Sequence, residues 1–88
     1  MNVHELTIEY LNHVLFQHQQ MQRAVKTIRS MRYRKVGISQ IAMSDEDRRV
    51  MIATANRKGT EQCSKVYTQL NQERQTAGLS KLINPYTK

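Results

Sequence analysis

Apolar residues recur every three or four positions through the first third of the chain. Leu11, Val14, Leu15, Met21, Val25, Ile28 and Met31 share one face of a helix, and Leu6 and Tyr10 extend the stripe backwards. The polar run Gln17, Gln19, Gln20 and Gln22 lies largely off it, and neither Pro nor Gly interrupts this block. A first helix is therefore expected over about residues 3–34. At 1.5 Å per residue it would be about 45 Å long, whereas a compact domain of 88 residues is ~31 Å across. The molecule must be elongated, kinked or paired with another copy.

Gly37 breaks the pattern, and the β-branched, aperiodic stretch around it reads as a connection over residues 35–44. Ser44 then offers an N-cap, with Asp47 three residues on as a capping box and Asp45 and Glu46 at the positive helix start. The second helix is expected over about residues 45–77, with Gly78 as its C-terminal cap. Its inward face would be Val50, Ala53, Asn56, Thr60, Cys63, Tyr67 and Leu70. Gly59 offers the alternative of a split into three helices, since Arg57 and Lys58 before it read as a last turn and Thr60 as a new cap. Phase is kept across the glycine, which favours one continuous helix. The tail, residues 78–88, carries Leu79, Leu82, Ile83 and Tyr86 and is expected to fold back onto the bundle, with docking in another protein's groove as the alternative.

These elements predict an all-α fold, a single domain over residues 1–88 built as a long antiparallel helical hairpin. Paired positions then sum to about 80, setting Ile28 opposite Ile52, Met21 opposite Gly59 and Leu11 opposite Leu70. Ala53, Asn56, Gly59, Thr60 and Cys63 bury little apolar area at those contacts, while Leu6, Leu15, Met51, Ile52 and Val66 flank the seam without partners. Two hairpins packed as a bundle would cover them, so a homodimer is expected.

Composition narrows the class. A chain of 88 residues buries only about 60–65% of its unfolded surface, which leaves no room for a barrel or a doubly wound sheet. Lys and Arg number 14 against 7 Asp and Glu, and the resulting +7 excludes an acidic mimic of nucleic acid. The mean hydropathy of −0.69 is low, but periodic apolar residues argue against disorder. No apolar run approaches membrane-spanning length and no charged-then-apolar leader opens the sequence. Cys63 is alone and cannot form an internal disulfide. A soluble, cytoplasmic protein without a membrane partner is the expectation.

Charge changes the picture most. Residues 1–22 hold Glu5 and Glu9 and no Lys or Arg, whereas residues 23–36 hold Arg23, Lys26, Arg29, Arg32, Arg34 and Lys35 and no acid, a swing from −2 to +6. The antiparallel partner helix adds Arg48, Arg49, Arg57 and Lys58 beside this collar, offset by Asp45, Glu46 and Asp47. Guanidinium forks match phosphate oxygens and counterion release favours a polyanion, while Tyr33 is placed to stack on an exposed base. DNA or RNA, bound through phosphates with low sequence specificity, is the expected partner. The alternative is a regulator, adaptor or inhibitor docking on the acidic surface of a larger protein such as a nucleic-acid-processing enzyme, and a merely solvated basic face is the blandest reading.

Lys35-Val36-Gly37-Ile38-Ser39-Gln40 resembles the turn of a helix-turn-helix motif. The following helix would then bring Met43, Asp45, Glu46 and Asp47 to base edges and phosphates, which repel acids, and would place Tyr33 where a small residue is normal. Catalytic chemistry has no better support. His4, His13 and His18 are separated by nine and five residues, so no two share a helix face as zinc ligands would, and His18 opposite Cys63 lacks a third group to form a nucleophilic site. No enzyme activity, cofactor, metal or small-molecule substrate is expected.

Overall fold

The computed structural model describes residues 2–87 and contains two long helices joined by a β-hairpin: α1 (Val3–Ser30), β1 (Tyr33–Val36), β2 (Ser39–Ala42) and α2 (Asp45–Thr76). α1 opens on Asn2, whose side-chain oxygen accepts from the Glu5 N–H at 2.8 Å. Ser44 and Asp47 form a reciprocal capping box at the start of α2, as the spacing predicts. At its end the Gly78 N–H reaches the Gln75 carbonyl and the Leu79 N–H the Arg74 carbonyl, with Gly78 at φ 81°, a Schellman ending. α2 runs unbroken through Gly59.

The connection departs from expectation. α1 stops at Ser30, four residues before the expected end, and residues 33–42 form an antiparallel ribbon pairing Tyr33 with Ala42 and Val36 with Ser39. Gly37 and Ile38 make the two-residue turn, with Gly37 at φ 63° and no other residue type at positive φ. Glycine alone in the first turn position is the requirement of a type II′ hairpin. Tyr33, Val36 and Ile41 favour strands, and the ribbon continues one bond further, from the Met43 N–H to the Arg32 carbonyl at 2.9 Å. The stretch resembling a helix-turn-helix turn is this hairpin.

The helices run antiparallel in the expected register: Met21 lies on Gly59, and the Arg74 guanidinium donates to Thr7 Oγ1 at 3.1 Å. The molecule is a rod of 54 × 25 × 20 Å. Its core sits at the end away from the hairpin, where Val14, Cys63 and Val66 are buried with Tyr10, Tyr67 and Tyr86 packed around them, and Leu70 is fully enclosed. Val66 thus has the intramolecular partner that sequence denies it, because Tyr86 of the tail comes back onto this end.

Val50, Ala53 and Asn56, expected to face inward, are exposed. A straight helix drifts about 20° per heptad against a strict seven-residue repeat. Extended backwards from Leu70, the repeat therefore rotates these three off the seam, and Met51, Ile52 and Ala55 become the half-buried residues.

The tail packs on its own bundle. The Asn71 amide donates to the Leu82 carbonyl and accepts from the Leu82 N–H, at 3.0 and 2.8 Å, and the Asn84 amide reaches Ser64. Tyr86 closes the arrangement by bonding His18 Nδ1 at 3.2 Å.

Candidate polyanion interface

The basic residues singled out by sequence divide in two once their partners are seen. Arg48 donates to the Met31 carbonyl at 2.7 Å and to Asp45 at 3.2 Å, tying the end of α1 to the first turn of α2. Arg34 projects from β1 to stand 3.4 Å from Asp47. Both are half-buried and act as struts of the hairpin's base. Arg49 grips Glu46 within the first turn of α2, and Arg57 pairs with Glu61 four residues on; both pairs are exposed and add little stability.

Arg23, Lys26, Arg29, Arg32, Lys35 and Lys58 make no ion pair among the described residues. Arg23, Lys26 and Arg29 spiral round the last turns of α1, with Lys26 and Arg29 beside Asn56 of α2, Arg32 follows at the strand entry, and Lys35 lies in β1. Lys58 stands apart, at the rim of a groove on α2. From Tyr10 to Ser44 the chain contains no acid. The acids at the start of α2 that would oppose this charge are engaged by Arg34, Arg48 and Arg49.

Asp47 is held chiefly by its own helix cap. Hydrogen bonding from Ser44, with the Arg34 charge beside it, holds its carboxyl below the ordinary 3.8. Asp47 is thus held ionised, and Arg23, Lys26, Arg29, Arg32 and Lys35 at the hairpin end have no acid paired with them among the described residues.

Strand alternation sorts the hairpin's faces. Arg34, Val36, Ser39 and Ile41 lie on one face; Tyr33, Lys35, Gln40 and Ala42 lie on the other. Tyr33 is 59% exposed, open for stacking. Sequence reasoning missed Ile38, fully exposed at the turn. The signal was limited to a Gly-Ile pair between two short runs that carry Tyr33, Val36 and Ile41.

His18 and Cys63, near neighbours in the expected register, do not bond each other, and both lie beside Tyr86. His18 bonds Tyr86, and the wholly buried Cys63 thiol lies 3.8 Å from the Val14 carbonyl, its ionisation pushed up by burial. No three metal-ligating side chains converge among the described residues, and no described helix is long and apolar enough to cross a membrane.

Searched against protein-family models the chain matches none, and neither curated protein sequences nor solved structures give a significant match.

Proposed function

We propose that this protein binds nucleic acid through phosphate contacts, without catalysing a reaction on it. The observation that carries the reading is the division of the basic residues: the acids at the start of α2 are paired with Arg34, Arg48 and Arg49, while Arg23, Lys26, Arg29, Arg32 and Lys35, all in the stretch that leads into β1 with Tyr33, make no ion pair among the described residues. Arg34, Arg48, Arg49 and Arg57 belong to the internal pairs, so the working set is smaller than charge counting gives.

Five phosphate contacts on duplex correspond to a log–log salt slope of about −4.5. Fluorescence anisotropy of labelled duplex and single-stranded oligonucleotides across salt measures it. The double variant Arg29→Glu/Arg32→Glu loses binding while helicity by circular dichroism is retained. Binding unchanged in that variant refutes the reading. A wild-type protein that binds no oligonucleotide, yet holds an acidic protein in a nuclease-resistant complex, selects the docking alternative instead.

The reading includes a paired molecule. The chain exposes 6758 Å² for 10.3 kDa, about 1,400 Å² above the surface-to-mass scaling for a compact monomer. A stable interface takes about 800 Å² from each partner. On α2, no residue before Cys63 is buried, and a groove of about 480 Å³ between the helices is walled by Met21, Ala24, Ile28, Met51 and Ala55. Its rim amides, Gln17, Gln20 and Gln62, each donate and accept, so they can pair with their own kind across a two-fold axis. Sedimentation equilibrium reports the mass: a dimer that Ala55→Arg converts to a folded monomer supports the pairing, and a wild-type monomer at all concentrations dismisses it.

A further inference from the structure

The β1–β2 hairpin has no evident folding reason. No helix packs on it, and Val36, Ile41 and Tyr33 along it are each more than two-fifths exposed. An isolated two-stranded ribbon is marginal in water. This one is held at its base by Arg48 on the Met31 carbonyl and Arg34 beside Asp47, and its far end is left bare. The most exposed large apolar side chain of the described residues, Ile38, stands at that end.

Charge says what lies opposite. The nearest cations behind the tip that pair with no acid are Lys35 and Arg32, and the acids at the hairpin's base, Asp47 and Asp45, are paired with Arg34 and Arg48. An apolar protein groove would not require flanking cations with all opposing acids neutralised; a polyanion would. The tip itself offers only an aliphatic side chain, which cannot read base edges by hydrogen bonds. Aliphatic side chains on proteins that approach the minor groove instead enter between base steps, unstacking and kinking the duplex.

We infer that the hairpin is an arm that enters a groove of duplex nucleic acid, with Ile38 as the wedge that opens a base step while Lys35 and Arg32 hold the flanking phosphates. This rests on the phosphate-binding reading above and adds the duplex and its deformation. Arg23, Lys26 and Arg29 then supply the sequence-independent attraction, and the arm supplies preference for double strands that bend easily.

Energy transfer between dyes at the two ends of a short duplex tests it, with anisotropy measured on the same samples. Wild-type protein should raise the transfer. Ile38→Ser should abolish the rise and weaken duplex binding about tenfold, since the contacts that the bent duplex permits are lost with it, with salt slope and single-strand affinity unchanged. Ile38→Leu, keeping the apolar volume, should restore both. Binding without bending, or bending that survives Ile38→Ser, overturns the wedge while leaving phosphate binding intact. If Ile38→Ser instead lowers the sedimentation mass and leaves the duplex unaffected, the tip is a contact between protein copies and the inference is wrong. Failure of wild type to bind any oligonucleotide would refute the underlying reading, a distinguishable result.

Discussion

Met21 rests directly on the backbone of Gly59. A Cβ at Gly59 would come within 2.5–2.7 Å of the Met21 sulfur, Cγ and Cβ, and the last of these cannot swing aside because it is fixed to the α1 backbone. The glycine costs α2 about 1 kcal/mol of propensity relative to Ala, and close approach of the helices is what it makes possible.

Gly59→Ala should therefore destabilise the fold by about 1–3 kcal/mol, the range for overpacking, despite its better propensity. Urea denaturation of Gly59→Ala, Met21→Ala and the double variant measures the coupling. The double variant should be less damaged than the sum of the singles, because Met21→Ala removes the sulfur and Cγ contacts and leaves only the Cβ one; additivity would show that the contact is unimportant.

Asn71 is nine-tenths buried and holds both backbone groups of Leu82. Asn71→Ala leaves these two groups without their partner and should cost about 1–3 kcal/mol. With the tail loosened, Tyr86 no longer covers the core, and Cys63, inert in the native protein, should react faster with iodoacetamide. Unchanged labelling kinetics would mean that the tail is anchored elsewhere.

Stability should fall at both ends of the pH scale for different reasons. The Asp47 carboxyl is held below 3.8 in the fold, so its contribution is present above that pH and lost as pH falls through the depressed value. Burial raises Cys63 above 9.0 and, with the Cys63 charge nearby, Tyr86 above 10.0. Their contribution is present below 9.0 and is lost on the alkaline side, where the unfolded chain ionises first. Urea midpoints against pH give the profile, and Asp47→Asn should flatten only the acid limb.

Gly37 sits at φ 63°, where a β-branched residue is strained by about 1–2 kcal/mol. Gly37→Val should melt the hairpin, seen as lost cross-strand amide contacts by NMR, while both helices persist. If the hairpin is the groove-entering arm, it also weakens duplex binding more than single-strand binding. A hairpin that survives the substitution would point to another turn geometry.

Periodicity and capping made much of this fold legible. The Ser44–Asp47 box, the Gly78 ending and the Met21–Gly59 register are local or one-dimensional signals, and each is found where the pattern puts it, whereas the apolar stripe of α1 holds at Val14 and Ile28 but leaves Leu11 and Leu15 exposed. The hairpin was less legible because a two-residue turn between short, exposed strands buries nothing and leaves no periodic trace.

The sequence by itself determined the two helices, their antiparallel register and the sign and location of the excess charge, because helix periodicity, caps and charge counts depend on near neighbours. Only the tertiary structure decided which cations are free. Arg34 and Asp47 are 13 residues apart, and Arg48 reaches back 17 residues to the Met31 carbonyl, pairings set by where the hairpin turns the chain. Tertiary packing also decided that Val66 is covered and Val50 is not, since a straight helix carries a seven-residue stripe off the seam within three heptads and the returning tail shields only one end of the rod.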